Sequence, residues 1–358
     1  MTWQTQDNSA ELETKIAKIE KEEGLLFFRG CRVEELAGKV PFESVVKALW
    51  DSEASPLATD TAFQMLLGDA RMVAFRRVQK MPLLMKTDVM SFLRAAVGQL
   101  KSDAETLEEQ FLFLTAVLCV FSAAWVRSQN SKGPILPEPE LEHTADFFQM
   151  ITGRDYKEPE SRALNSFLIA VCEHGIDTAA LVTRAVASTG ADVISAITAA
   201  LCAVKGPRHE GLSGEGILRL LNRFSDCEDA ENWLNCNDNL LDFMEIAGMK
   251  NSVYKTRDPR AIVMENAIQS LEQSGQSAPL FLIAQALEKK AAEIYSSKNS
   301  GGRYCASFQY YAAVLLNSLA IPTAVFPAMF TMARVAGWCG HFAEQSQLNC
   351  VLESSPSP

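Results

Sequence analysis

The chain has 358 residues, 48% of them hydrophobic and 22% charged, a globular composition with ample material for a large core. A formal net charge of −11 excludes a general nucleic-acid binder, which needs a basic surface to displace counterions. Nine cysteines stand singly at 31, 119, 172, 202, 227, 236, 305, 339 and 350 with no CxxC pair, so no metal site is expected and free thiols in a reducing compartment are.

The start, "MTWQTQDNSAELETK", is polar and acidic. It has neither a secretory apolar segment nor an Arg-rich presequence, and a cytoplasmic location is expected. "GLLFFRG" (24–30) is the one candidate for a short strand. "PFESVVKALW" (41–50) opens with proline and places Val45, Val46, Leu49 and Trp50 on one helical face. "FLFLTAVLCVFSAAWV" (111–126) falls short of the roughly 20 residues that span a bilayer and reads as a buried helix, so no membrane association is expected. "SQNSKGPILPEPEL" (128–141) and "GRDYKEPES" (153–161) read as loops. In "STGADVISAITAALCAVKG", Ile194, Ile197, Leu201 and Val204 recur at helical spacing, and Gly206-Pro207 ends the run. "FSDCEDAENWLNCNDN" (224–239) and "SSKNSGGRYC" (296–305) are expected loops. "AIVMENAIQSLEQS", "APLFLIAQALEKKAAEIYSS" and "AAVLLNSLAIP" are helical in period. An almost all-α protein is predicted.

One stretch is crowded with charge. "GMKNSVYKTRDPRA" (248–261) places Lys255, Arg257, Asp258 and Arg260 within six residues. A guanidinium can hold a carboxylate with two parallel hydrogen bonds, so the stretch is a candidate anion site. No P-loop, GxGxxG, HExxH or GxSxG competes with it. Cys305 and Ser307 are weak nucleophile candidates, with no histidine near them in the sequence. His143 and His341 lie in helical segments and read as structural.

Four motifs in order carry a resemblance. "CEHGIDTAALVTRAVASTGADVISAITAALCAVKGPRHEG" (172–211) resembles the citrate synthase pattern "DHxxNASTFxARVxASTxxDxYSAxxAAIxALKGPLHGG". "VYKTRDPRA" matches that family's "GHRVYKTRDPRA", and "RVAGWCGHFAEQ" matches "RVAGWTAHIIEQ". "EEGLLFFRGCRVEELA" is similar to "xxGxLxYRGYxIEELA". The resemblance runs from about residue 14 to 353. It implies an all-α homodimer, each subunit with a large helical domain (1–209 plus 314–358) and a small one (210–313), and an active-site cleft between them. It implies condensation of an acyl-CoA with a 2-oxo acid, acyl-CoA being a co-substrate rather than a permanently bound cofactor.

The resemblance also assigns residues. His174 stands where a histidine touches the oxo acid, and His209 where one stabilises the enol. Arg260 and Arg334 match arginines that grip the oxo acid. The rest of the family's site is altered. Asn251 replaces the histidine before "VYK", and asparagine cannot give up a proton at neutral pH. Phe308, in "YCASFQYY" against "YPNVDFYS", replaces the aspartate base. Where the family ends near "EQxxxNRLIRPR", the two arginine positions read Cys350 and Glu353. On the CoA side, "HEGLS" replaces "HGGAN", adding Glu210 and Leu212. Lys250 fills a glycine position beside the expected thioester, and Lys255 is a weaker candidate for CoA contact.

Ordinary citrate formation is therefore not expected. One reading is a redirected condensing enzyme that uses His174, Arg260, Arg334 and His209 on a small carboxylic acid. The other is a non-catalytic paralogue, a homodimeric scaffold or the partner of an active homologue in a heteromer. Glu353 is a candidate internal counter-ion for the arginines, and Arg257 and Asp258 are a candidate pair or helix cap.

Overall fold

The computed structural model describes residues 3–354 apart from 6–7, 52, 82–85, 102–103, 207–213, 236, 249–252, 299–304 and 349–351. Side-chain caps set the helix starts. Asp60 accepts from the Phe63 N–H and opens α3 (Thr61–Val78), after α1 (Val33–Leu36) and α2 (Phe42–Trp50). Asp88 opens α4 (Val89–Gly98) in the same way. Thr106 and Glu109 form a reciprocal capping box at the head of α5 (Leu107–Gln129). α6 (His143–Thr152) and α7 (Glu158–Val171) follow. Asp177 and Asp192 cap α8 (Thr178–Ser188) and α9 (Val193–Val204).

The second half continues with α10 (Gly214–Leu221), α11 (Cys227–Leu234), α12 (Asn237–Ile246), α13 (Pro259–Gln273), α14 (Pro279–Lys298), α15 (Phe308–Ser318) and α16 (Phe326–Leu348). α16 runs through the middle of the first group, packed on α2, α4, α5, α7, α8 and α9. α13 packs on α15 and α7, while α14 holds α11 and α12.

The helical expectation is met, with differences at four places. The single expected strand is part of a three-stranded antiparallel sheet, β3 (Ala17–Glu20), β4 (Leu25–Phe28) and β5 (Cys31–Arg32). β1 (Trp3–Thr5) and β2 (Asn8–Glu11) form a second sheet with β6 (Leu352–Ser354), joining the two ends of the chain. The expected loop 224–239 holds α11 and the start of α12. Its charge hid a short amphipathic turn: Asp226 caps it, Ala230 and Leu234 are buried four residues apart, and Trp233 packs on Phe224. The Glu158–Ser161 end of the second expected loop is the first turn of α7.

α5 is 23 residues long, longer than its apolar run, because the polar capping turn extends it. Length and composition alone would let it cross a membrane, yet every side chain from Phe111 to Val126 is buried inside the fold. It is a core helix.

Candidate functional site

Four segments converge, and each is placed by a helix end. α7 stops at Val171, and the turn behind it carries Glu173 and His174 before Asp177 starts α8. Tyr254 lies ahead of α13, whose cap is Asp258, first residue Pro259 and second Arg260. Phe308 is the first residue of α15. Arg334 sits midway along α16. The hairpin turn between β3 and β4 supports the second segment: Lys255 N–H donates to the Lys21 carbonyl at 2.9 Å. Gly24 (φ +70°) approaches so closely that an added Cβ would lie 2.1 Å from Thr256 Oγ1.

The cluster is nearly sealed. His174 is 7% exposed, and Tyr254, Arg260 and Arg334 are buried beside it. The His174 Nε2 and the Tyr254 hydroxyl share a hydrogen bond of 3.0 Å, whose direction follows the imidazole tautomer. Arg260 donates to Asp258 twice, Nε to Oδ1 at 3.0 Å and Nη2 to Oδ2 at 2.7 Å. Its guanidinium lies 3.9 Å from the centroid of the Phe308 ring, a close cation–π stack. Arg334 stacks on Phe330 at 4.9 Å, and its Nη1 is 3.6 Å from Asp177 Oδ2.

These contacts set the protonation states. Burial, reinforced by the charges of Arg260 and Arg334, holds the His174 imidazole well below its ordinary value, so it is neutral near pH 7. Burial pushes the Tyr254 phenol up, so it keeps its proton. Two arginines and two aspartates cancel in charge. The site offers guanidinium donors and a neutral imidazole–phenol pair. It can hold a carboxylate and polarise a carbonyl oxygen. The face of Arg260 is covered by an apolar ring, that of Phe308.

Several expectations are corrected here. Arg257 does not pair with Asp258. It donates to Glu288 Oε1 and Oε2 at 3.1 and 3.0 Å and to Glu265 at 2.7 Å, and it lies over the Tyr311 ring. Glu288 also accepts from the Tyr311 hydroxyl and the Ala306 N–H. Asp258 is the helix cap that the other alternative predicted, and it is the counter-ion of Arg260. Glu353, the other candidate counter-ion, lies in β6, and its side chain is outside those described. Leu352 N–H donates to Ser188 Oγ at the far end of α8, roughly 16 Å from its Asp177 end at 1.5 Å per residue. Asp177 Oδ2 is the carboxylate oxygen that faces Arg334 among the described side chains, at 3.6 Å. Lys255 stands apart in an exposed ion pair with Glu22 at 2.5 Å.

His143 and His341 are structural, as read. His143 faces Arg71, and its N–H donates to the buried Glu43. His341 bridges Arg184 at 3.4 Å and Glu173 at 3.3 Å. Ser307 donates to Gln309 Oε1 at 3.3 Å. Burial pushes the Cys119, Cys172 and Cys339 thiols up, away from thiolate chemistry. Among the described residues, no three His, Cys, Asp or Glu side chains are placed to hold a metal ion. His209, Glu210, Leu212, Lys250, Asn251 and Cys350 lie outside the described residues.

Tyr254 and Asp177 were not singled out from the sequence. Tyr254 had a signal, as the aromatic of the "VYK" motif. Asp177 had one too, as an aspartate directly ahead of an apolar helical run.

The family model described as "Citrate synthase, C-terminal domain" matches residues 6–352. A citrate synthase of Acidithiobacillus ferridurans is 28% identical over 352 residues, 94% of this chain and 89% of that protein. Citrate synthase from Thermotoga maritima has a TM-score of 0.76 to this fold at 26% identity, over 99% of this chain and 94% of that one. The Thermoplasma acidophilum enzyme, solved with carboxymethyl coenzyme A and oxaloacetate, shares the fold with a TM-score of 0.75 at 22% identity, over 95% of this chain and 90% of that one. The chain belongs to the citrate synthase family, in its all-α, two-domain fold.

Proposed function

We propose that this protein keeps the family's carboxylate-binding cleft but does not carry out ordinary citrate formation, its acyl-CoA condensation being redirected or lost. One observation carries the reading: the buried Phe308 ring covers Arg260 at 3.9 Å, at the position where the family pattern has an aspartate base. A phenyl ring accepts no proton. A positioned base contributes about 10²–10⁴ in rate, and removing it closes the enolisation route itself. His174, Arg260 and Arg334 support retention of a small carboxylic acid. Acyl-CoA as co-substrate rests on family membership.

A second reading is a non-catalytic subunit, homodimeric or paired with an active homologue. It is favoured by the two arginines already facing aspartates, which leaves the cluster without net charge.

The test is thioester cleavage. Purified protein is mixed with acetyl-CoA or longer acyl-CoAs and a panel of 2-oxo acids, and thioester absorbance is followed. No turnover with acetyl-CoA and oxaloacetate is expected. Efficient citrate formation by the unaltered protein would overturn the reading. Turnover with another pair identifies a redirected enzyme, and silence from a folded protein favours the non-catalytic subunit. The Asn251→His, Phe308→Asp double variant should gain activity if only acid and base are missing.

A further inference from the structure

Arg334 carries a further inference, one that rests on the carboxylate-binding reading above. It is 3% exposed and permanently charged, yet its Nε and Nη1 have no hydrogen-bond partner among the described residues. Buried donors of this kind are normally satisfied. The nearest carboxylate oxygen, Asp177 Oδ2, stands at 3.6 Å, an ion-pair distance too long for a hydrogen bond. The other Asp177 oxygen is fixed, because Oδ1 accepts the Ala180 N–H at 2.8 Å. Asp177 therefore neutralises Arg334 without saturating it.

Arg260 differs. Its Nε–Nη2 edge is bound bidentately to Asp258, and one face is covered by Phe308. The pair has one guanidinium edge committed internally and one with donors to spare. A dicarboxylate would need a second grip while facing two fixed aspartates. A monocarboxylate needs only Arg334, and its tail would meet Phe308 rather than a cation. The adjoining imidazole–phenol pair of His174 and Tyr254 suits a neutral carbonyl oxygen. The start of α8, next to Arg334, adds positive backbone potential for one anion.

We propose that the cleft selects a short monocarboxylic 2-oxo acid over a dicarboxylic one, and that Asp177 is the residue that sets this preference. Asp177 does so as a fixed negative charge beside Arg334: with Asp258 already on Arg260, it leaves the two guanidinium groups no net positive charge for a second substrate carboxylate. It is 23% exposed on its side chain, at the open edge of an otherwise buried cluster.

Asp177→Asn tests this directly. Asparagine caps helices as well as aspartate does, so α8 keeps its start while the charge is removed. Binding of 2-oxobutanoate and of oxaloacetate is measured by titration calorimetry on the full-length protein. The unaltered protein should bind 2-oxobutanoate at least about tenfold more tightly, and Asp177→Asn should shift the ratio at least about tenfold toward oxaloacetate. Asp226→Asn, which alters the exposed cap of α11, should leave the ratio unchanged. Equal or tighter oxaloacetate binding by the unaltered protein, or an unchanged ratio in Asp177→Asn, overturns the proposal while leaving a carboxylate site in place. Binding of neither acid by folded protein overturns the carboxylate-binding reading as well.

Discussion

His174 shows how one residue's chemistry is set by its surroundings. Burial and two guanidinium groups keep it neutral, and its imidazole shares a hydrogen bond with the Tyr254 hydroxyl. Its folded-state pKa lies below the unfolded value of about 6.5, so the unfolded chain binds the extra proton. The stability it contributes is present above that pH and is lost as pH falls below it. Replacement by glutamine removes this titration. The stability gap between the unaltered protein and His174→Gln should narrow as pH drops from 7.5 to 5.5, by up to about 1.4 kcal/mol per pH unit. Urea unfolding at a series of pH values measures it. A gap constant over that range would mean that His174 titrates normally in the fold.

At the scale of elements, α16 acts as a ruler. Arg334, Gly337 and His341 fall at i, i+3 and i+7, so one face of the helix meets the segment Cys172–His174. Gly337 permits the approach: a Cβ there would lie 2.2 Å from Glu173 Oε2 and 2.5 Å from the Cys172 carbonyl oxygen. His341 then reaches Glu173 one turn further on. Gly337→Ala should push the histidine-bearing turn off the helix. The expected cost is about 1–3 kcal/mol, as for other overpacked sites, with weakened carboxylate binding. Unaltered denaturation and binding curves would show that the turn yields freely. The helix caps have a similar double use. Asp177 and Asp258 each start a helix with one oxygen and face a site arginine with the other or with both.

For the whole molecule, stability and site are separable. α5 is buried along most of its length, far in function from the arginines, and packs on α3, α4, α6 and α16. Phe121 is fully buried there, 5.9 Å from the Phe92 ring centre. Phe121→Ala should cost about 3–5 kcal/mol in global stability, the usual range for a large buried aromatic. Where the variant remains folded, its preference among 2-oxo acids should not change. Calorimetric unfolding together with the binding titration above checks both halves, and a changed preference would mean that core packing reaches the site.

Much of this was legible in the residues. Apolar periodicity marked the helices, and the motifs around His174, Arg260 and Arg334 marked three segments that do meet. The proposal that Phe308 stands in the place of an aspartate base rests on the order of letters alone. The acidic stretch 224–239 failed because two buried residues four apart are a weak signal against so many charges. Partner choice was not legible at all. Arg257 adjoins Asp258 in the chain but binds Glu288, 31 residues away, because α14 brings that carboxylate to it. Asp258 turns instead to Arg260, and Asp177 to Arg334, 157 residues further on. Local pattern and residue type are written into the chain; they determined the family and most of the helices, and they carry the proposal of a missing base. Which charge faces which, and so how much of each arginine is left for a ligand, was decided by tertiary structure alone. Coulomb energy and hydrogen bonding depend on distances of a few ångströms, and those are set by helix packing rather than by separation along the sequence.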